Sequence, residues 1–381
     1  MRGVGGREEV AVTAKKAAKK SIRARMAATG EKYTEARRAE LGELSITPRR
    51  DKDRVVVFDR TLYSNVDGPR WFGGVAGVEM AWQLHRLGVD VIEVGYPNTD
   101  GSGGGVPARM AREFSDEGPV VCALASGIAD FVDSAWNAIE DAARPRLHVF
   151  VPFETAIENE EKVGELTRAL VAQAKTHTGD VEFTPCTWGV VDPIASEIEI
   201  ALEEGATTIN LAELKIPVLE LVPALYERVP ALADAVLSVE CSRWRGMALA
   251  ESMDALVAGV RQVKCSMHGS TGHNVALEAL AMNLHPHFQR VSDETARLWT
   301  GIEVRELVAT SELVAQVKGY EVPAHQPFVG SNVIDPKPLS MMEEQIARAD
   351  SDRELLRLLG QPIPAWLDEW PSATDGDETR V

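Results

Sequence analysis

Short runs of apolar, often β-branched residues alternate along most of the chain with longer segments whose apolar positions recur at helical spacing. Eight such runs predict strands, at residues 54–59, 89–95, 119–124, 146–151, 180–184, 207–211, 235–241 and 261–267. The segments between them predict amphipathic helices, for example over residues 75–88, 158–177 and 247–259. Near-continuous apolar strands that alternate with helices are typical of a parallel sheet covered on both faces. Eight strand–helix units predict an α/β fold, the closed (β/α)8 TIM barrel.

The alternation is confined to the middle of the chain, which divides the sequence into four predicted segments. We expect a basic helical N-terminal arm over residues 1–50 and the barrel over residues 51–290. A helical C-terminal subdomain follows over residues 291–370, with a helix pair at 300–319, and residues 371–381 form a disordered tail. The tail is predicted from its polar composition, which cannot bury enough apolar surface to fold.

Charge is distributed unevenly between these segments. Residues 1–50 hold 13 basic and 6 acidic residues, a net charge of +7, so the rest of the chain carries −25. An acidic body argues against nucleic acid as the main partner, because phosphate binding needs a positive surface. The arm is either a solvated or loosely docked helical segment or a contact for a partner or nucleic acid.

Composition narrows the class of protein further. Of the 381 residues 45% are hydrophobic and 26% charged, which is an ordinary globular composition. No apolar run approaches the roughly 20 residues of a membrane span, so we expect no membrane partner. The four cysteines lie far apart without paired spacing, which favours reduced thiols and a cytoplasmic location.

Candidate functional residues are the polar ones at the ends of the predicted strands, because active sites of this fold lie at the carboxyl ends of the strands. In strand order they are Asp59, Arg60 and Tyr63; Glu93; His148; Thr184 and Cys186; Asn210 and Lys215; Glu240 and Arg243; and His268 and Asn274. Barrel interiors are otherwise apolar. The carboxylates at three strand ends therefore need a metal, a base or hydrogen bonds to compensate their burial.

Three of these residues allow two interpretations each. Cys186 is either a nucleophile, with His148 or His268 as its base, or a buried packing residue. Lys215 either forms a Schiff base with a carbonyl substrate or pairs with its neighbour Glu213. His268 is either functional, as an acid–base group or a replacement metal ligand, or a surface loop histidine.

Seven blocks resemble successive strands of one enzyme superfamily: FDRTLYSNVDGP, LGVDVIEVGYP, RLHVFVPFE, DVEFTPCTWGVVDP, EEGATTINLAEL, DAVLSVECSRW and GHNVALEAL. They are similar to the isopropylmalate synthase, homocitrate synthase and hydroxymethylglutaryl-CoA lyase group. These enzymes are the DRE-TIM metallolyases, which share a pyruvate-carboxyltransferase domain. The resemblance covers roughly residues 52–290 and continues through residues 300–332 into the helical subdomain of the synthases.

The resemblance implies a divalent metal (Mg²⁺, Mn²⁺ or Zn²⁺), a small keto acid substrate, acyl-CoA as co-substrate and a homodimer. Asp59 and Asn274 match two family metal ligands, whereas the family's two histidines are replaced by the Glu240-Cys241-Ser242 segment. The oxygens of Asp59, Glu240 and Asn274 would favour Mg²⁺, Mn²⁺ or Ca²⁺ over Zn²⁺. The alternative is that Glu240 pairs with Arg60 or Arg243 and no metal is bound.

The resemblance also locates the catalytic residues and their replacements. Glu93 and His148 match family positions, but Tyr63 stands where the family has its catalytic arginine and Cys186 where it has a glutamate. A phenol cannot fully replace a guanidinium that neutralises developing charge.

We therefore predict a family fold with an altered pocket. In this hypothesis Tyr63, Glu93, His148, Cys186 and His268 are catalytic, and Arg60, Thr184, Asn210, Lys215 and Arg243 bind substrate. The protein would make or break a C–C (acyl) bond on a small keto or carboxylic acid in specialised biosynthesis. The alternative is a catalytically inactive paralogue that binds a ligand or a partner.

Overall fold

A computed structural model describes most of the chain between residues 51 and 367. The described residues are 51–63, 74–95, 105–152, 160–186, 190–212, 214–242, 246–269, 274–286, 295, 297–331, 352–364 and 367. The predicted arm (1–50) and the predicted tail (371–381) lie outside them.

Eight parallel strands form a closed barrel, which confirms the predicted fold. They are β1 Val56–Asp59, β2 Val91–Glu93, β3 Val120–Ser126, β4 Pro145–Phe150, β5 Val181–Thr184, β6 Thr208–Ala212, β7 Val236–Glu240 and β8 Gln262–Ser266. Each strand pairs with the next in sequence, and β8 pairs with β1 so that Val263 lies opposite Val57. A two-residue strand, β9 Val275–Ala276, pairs with the end of β8.

Helices follow the strands and cover the outside of the barrel. They are α1 Gly74–Leu87, α2 Gly105–Glu113, α3 Ala129–Ile139, α4 Glu160–His177, α5 Val191–Glu203, α6 Val218–Arg228, α7 Ala248–Ala258 and α8 Leu277–Asn283. Each presents an apolar face to the strands, as Val132, Ala135 and Ile139 of α3 illustrate. The large core lies in this layer between strands and helices. Within the described ranges, no helix has the length and apolar character to cross a membrane.

The segment after the barrel differs from the predicted helix pair over residues 300–319. Its first part is not helical, because the backbone N–H of Glu303 donates to the Leu87 carbonyl oxygen at the end of α1, 2.8 Å away. A short 3-10 turn, Val304–Glu306, leads into a single helix, α9 Leu307–Lys318. Helix α9 packs on α1, where Gln83 Nε2 donates to Thr310 Oγ1 at 3.0 Å. Residues 352–358 form a further helix.

The inside of the barrel holds both an apolar group and a polar group of side chains. Phe58, Val91, Val120 and Cys122 pack together as a small apolar cluster separate from the large core. On β8 the alternate residues Gln262, Lys264 and Ser266 are all fully buried. Buried polar groups need partners, so the interior of this barrel is organised by hydrogen bonds and ion pairs as well as by packing.

Gly88 provides a test of how tightly the segment after the barrel is docked. Its φ is +89°, and a Cβ built there would lie 2.4 Å from the Gly301 carbonyl oxygen. Gly88→Ala is expected to lower the free energy of unfolding by roughly 2–4 kcal/mol, from backbone strain plus the clash. Gly246→Ala is the matched control, because its φ is +72° but nothing lies within 4 Å of the added Cβ. Chemical unfolding of both variants measures the difference, and equal losses would contradict the close docking.

Candidate active site

Arg60 directly follows β1 at the barrel mouth, the end of the barrel where the strands terminate. Its Nε donates to Glu93 Oε2 at 2.6 Å, and its Nη1 donates to Glu240 Oε1. The guanidinium carbon lies 4.3 Å above the centre of the Tyr63 ring. Strands β2 and β7 flank β1 and β8 on the barrel wall. Closure of the barrel therefore brings both carboxylates to one arginine.

The charges of this cluster are stabilised by one another. Burial disfavours the charged form of Arg60, but the Glu240 and Glu93 carboxylates outweigh it and raise the pKa of the guanidinium above its ordinary value. Burial acts to raise the pKa of Glu93, yet Arg60 and Lys264 hold that pKa well below its usual range. Arg60 and Glu93 are therefore an ion pair at all ordinary pH values.

A line of hydrogen bonds runs from Glu93 across the mouth through three residues predicted from the strand ends. His148 Nδ1 lies 3.1 Å from Glu93 Oε1, and His148 Nε2 lies 2.7 Å from Thr184 Oγ1. Asn210 Nδ2 donates to Thr184 Oγ1 at 3.0 Å. We call Arg60, Glu93, His148, Thr184 and Asn210 the mouth network.

The partners of His148 assign its tautomer. An ionised carboxylate can only accept, so the contact with Glu93 requires the imidazole hydrogen on Nδ1. Nε2 is then the acceptor for the Thr184 hydroxyl. Lys264 Nζ also lies 3.1 Å from Nδ1, and it forms an ion pair with Glu182, whose Oε1 is 2.6 Å away. Burial, followed by the charge of Lys264, lowers the pKa of His148, so the neutral base is its resting form.

Four residues below the mouth network were not singled out from the sequence. Lys264 and Glu182 form a fully buried ion pair, and Arg146 Nη1 donates to Glu182 Oε2 at 3.2 Å and to Gln262 Oε1 at 2.9 Å. Burial tends to raise the pKa of Glu182, but Lys264, His148 and Arg146 lower it. The signal in the sequence was the alternation of polar residues along RQVKCSM, which placed Gln262 and Lys264 on one face of a strand.

The predicted metal ligands do not fit a metal ion. Asp59 accepts hydrogen bonds from the Thr61 backbone N–H and from Thr61 Oγ1, both at 2.8 Å. Glu240 is engaged by Arg60, as in the alternative that the sequence left open. Asn274 is buried and directly precedes β9 in the chain. In the described part of the chain, no three His, Cys, Asp or Glu side chains are grouped so as to hold a metal.

A lysine from outside the barrel also acts on Asp59. Burial raises the pKa of Asp59 to about 7, while the Thr61 hydrogen bonds and Lys318 on α9 lower it. Burial lowers the pKa of Lys318 to about 8, and Asp59 acts in the opposite direction. Lys318 was not predicted, because nothing in the sequence indicates that the last turn of α9 faces the first strand.

Cys186 is 6% exposed, and both its thiol and its backbone amide point into the fold. Sγ donates to the Val151 carbonyl oxygen at 3.0 Å, and the backbone N–H donates to Glu197 Oε2 at 3.0 Å. The structure therefore places Cys186 as a packing residue does. All four cysteines of the chain are buried thiols and none forms a disulfide.

Glu197 predicts a pH-dependent stability. Burial raises its pKa from 4.5 to about 8, against the hydrogen bond from Cys186. Between these values the folded chain holds a proton that the unfolded chain releases, so the free energy of unfolding falls as pH rises. Glu197→Gln keeps the acceptor without the charge. It is expected to gain stability on the order of a few kcal/mol at about pH 9 and little at about pH 4.

Urea unfolding at both pH values measures this difference, with Glu220→Gln at an exposed position of α6 as the matched control. A gain of the same size at both pH values would contradict a buried, neutral carboxyl group.

The remaining predicted residues do not join the mouth network. His268 has φ +60°, and its ring nitrogens lie 2.6 Å from Tyr320 Oη and from Ser311 Oγ, which ties it to α9. Burial, then Lys318, lowers the pKa of His268 to about 4. Lys215 is exposed on the loop after β6. Arg243 lies outside the described residues.

Known proteins with a similar sequence or fold identify the family. The HMGL-like family matches residues 76–314, more than half of the chain. The 2-isopropylmalate synthase of Carboxydothermus hydrogenoformans is 32% identical over 329 residues, 81% of this chain and 63% of that enzyme. The 2-isopropylmalate synthase of a Picosynechococcus species is 33% identical over 304 residues, 74% of this chain and 57% of that enzyme. The chain thus spans about six tenths of the length of these relatives.

Two solved structures share the fold at low sequence identity. The HMG-CoA lyase of Acinetobacter baumannii, in complex with coenzyme A and 3-methylmalate, has a TM-score of 0.58 at 17% identity. It covers 77% of this chain and is itself covered completely. The HMG-CoA lyase of Brucella melitensis has a TM-score of 0.53 at 15% identity, over 70% of this chain and 99% of that one. With the barrel geometry and the family match in agreement, the chain belongs to the HMGL-like family.

Proposed function

We propose that this protein is a diverged isopropylmalate synthase-like enzyme that makes or breaks a C–C (acyl) bond on a small keto or carboxylic acid. The observation that carries the proposal is the mouth network, which places a fixed cation and a neutral imidazole together at the carboxyl end of the barrel. The relatedness in sequence to 2-isopropylmalate synthases supports the class of reaction. Specialised biosynthesis is the setting that an altered pocket favours.

Arg60 would hold an oxygen of the acid and neutralise the charge that develops on it. A guanidinium offers several donors in one plane and keeps its charge when buried. Glu93 and Glu240 fix its orientation, so little reorganisation is needed when charge develops, which is the basis of electrostatic catalysis.

His148 would act as the base that moves the proton. When a proton leaves the carbon next to the substrate carbonyl, Thr184 Oγ1 can accept it while the hydroxyl's own hydrogen passes to His148 Nε2, 2.7 Å away. Glu93 accepts the hydrogen bond from Nδ1–H. This hydrogen bond fixes the ring and stabilises the imidazolium. Asn210 holds the hydroxyl in place.

Acyl-CoA is the proposed co-substrate, since a thioester has the acidic carbon that such a base requires. The solved HMG-CoA lyase that shares this fold binds coenzyme A together with a small hydroxy acid, which supports the same pair of ligand classes here. A bound divalent metal would polarise the keto acid's carbonyl. We assign no ligand set to one, because Asp59 and Glu240 are engaged by Thr61 and Arg60.

The test is a panel of α-keto acids, each combined with short acyl-CoAs, in which free thiol is followed with a colorimetric reagent. The expected result is thiol release that requires both an acyl-CoA and one acid of the panel. Cleavage is tested in reverse with 3-hydroxyacyl-CoA acids. Thiol release that is absent from every combination in both directions would contradict the enzyme.

One observation favours the second candidate, a catalytically inactive paralogue that binds a ligand. Arg60 is held in the mouth by ion pairs with both Glu93 and Glu240, and its side chain is only 8% exposed. Carboxylate binding without turnover is the result that this candidate predicts.

A further inference from the structure

The Arg60 side chain is a fixed cation with one amino group left for a ligand. Nε and Nη1 are taken by Glu93 and Glu240. In the part of the chain that the structure describes, Nη2 has no hydrogen bond, and it is not among the polar atoms sealed from solvent. The side chain as a whole is only 8% exposed. The small exposed part of this guanidinium therefore includes a donor without a protein partner.

The carboxylates around the mouth are already engaged within the protein. Glu93 and Glu240 both pair with Arg60, Glu182 pairs with Lys264 and Arg146, and Asp59 accepts two hydrogen bonds from Thr61. A site for a divalent cation needs carboxylates whose charge is not neutralised by the protein. Glu93, Glu182 and Glu240 are each paired with a protein cation, so none of these three meets that need.

We propose that Arg60 replaces a divalent metal in this protein and that its Nη2 binds a carboxylate of the substrate directly. The inference deepens the proposed function and rests on it for the class of ligand, a small carboxylic acid. Hydrogen bonds between charged groups are the strong ones, so a single donor of a buried guanidinium can hold a carboxylate oxygen. The guanidinium carbon lies 4.3 Å from the centre of the Tyr63 ring, and this packing helps to hold the side chain in place.

The metal half of the proposal is tested by titrating Mn²⁺ into the dialysed protein and following free Mn²⁺ by electron paramagnetic resonance. The unaltered protein is expected to show no saturable site. In Arg60→Met the freed Glu93 and Glu240 are expected to create one, which the added substitution Glu240→Gln removes. One equivalent of Mn²⁺ bound to the unaltered protein and lost in Asp59→Asn would overturn the proposal. So would a folded Arg60→Met protein that gains no site.

The carboxylate half is tested by calorimetric titration with malonate and with pyruvate in the presence of EDTA. The unaltered protein is expected to bind at least one of them without metal, and Arg60→Met to bind it at least about tenfold more weakly. Arg60→Lys keeps the positive charge but not the planar group of donors, so a loss of carboxylate affinity between those of the unaltered protein and Arg60→Met is expected. Arg228→Met, which removes an exposed arginine paired with Asp192, is the matched control and should bind normally.

The outcomes separate this inference from the proposed function. Carboxylate binding that appears only with added Mg²⁺ or Mn²⁺, or that is unchanged in Arg60→Met, overturns the inference. Metal-free binding through Arg60 without turnover on any acyl-CoA would sustain it and contradict the proposed enzyme. If Arg60→Met fails to fold, the titrations of the unaltered protein and of Arg60→Lys still decide whether Arg60 binds the carboxylate without a metal.

Discussion

Lys264→Met is expected to lower the free energy of unfolding by roughly 3–5 kcal/mol, as is typical when one partner of a buried ion pair is removed. Lys264 Nζ lies 2.6 Å from Glu182 Oε1, and both side chains are fully buried. The ammonium also lies 4.3 Å from the centre of the Phe58 ring. Removing it leaves Glu182 without its closest cation in a dry interior.

The double variant Lys264→Met/Glu182→Gln tests whether the unpaired charge of Glu182 causes the loss of stability in Lys264→Met. It removes both members of the pair with little change in volume, and it is expected to recover most of the lost stability. Arg168→Met is the surface control. Its partner Glu204 is partly exposed, so a loss below about 1 kcal/mol is expected. Urea unfolding measures all three, and a double variant as unstable as Lys264→Met would contradict this account.

His148→Gln is expected to reduce turnover roughly 10²- to 10⁴-fold in the acyl-CoA assay, the usual contribution of a positioned general base. Glutamine can still contact Glu93 and Thr184 but cannot take up the proton. The KM for the acid should change little, because Arg60 binds it. Steady-state kinetics of the variant measure both constants. A large rise in KM with unchanged turnover would mean that His148 only positions the substrate.

The pH profile supplies a second readout for the same residue. Because burial and Lys264 lower the pKa of His148 below its ordinary 6.5, the neutral base should persist to lower pH than a free imidazole. Turnover by the unaltered enzyme is therefore expected to hold below pH 6.5 before it falls. His177→Gln is the matched control, since that histidine lies at the protein surface beside Asp133.

The fold could be predicted from the sequence because hydrophobic periodicity is a local property. Each of the eight predicted strands corresponds to a strand of the barrel, and α4 begins within two residues of its predicted start. The prediction of a helix pair over residues 300–319 was wrong. There the backbone of Glu303 is held at the end of α1, and a contact so distant in sequence leaves no periodic signal.

Only those residues of the candidate site that lie at the carboxyl ends of strands could be predicted from the sequence. Glu93, His148 and Thr184 meet because parallel strands end on the same side of a barrel. The sequence left the partner of Glu240 open between a metal, Arg60 and Arg243, because it does not show which of them reaches the end of β7. Lys264 and Glu182 were missed because they lie below the rim, where sequence alone predicts apolar packing.

Helix α9 has a consequence for how the barrel can be engineered. It contacts Gln83 on α1 and, through Ser311, His268 after β8, so it spans the seam where the first and last strands meet. The first and last strands of the barrel, β1 and β8, pair directly at this seam. Because α9 contacts residues on both sides of this seam, separating β1 from β8 would also require α9 to detach. The segment after the barrel thus helps to keep β1 and β8 together. A circularly permuted or truncated barrel would need other contacts to replace those of α9.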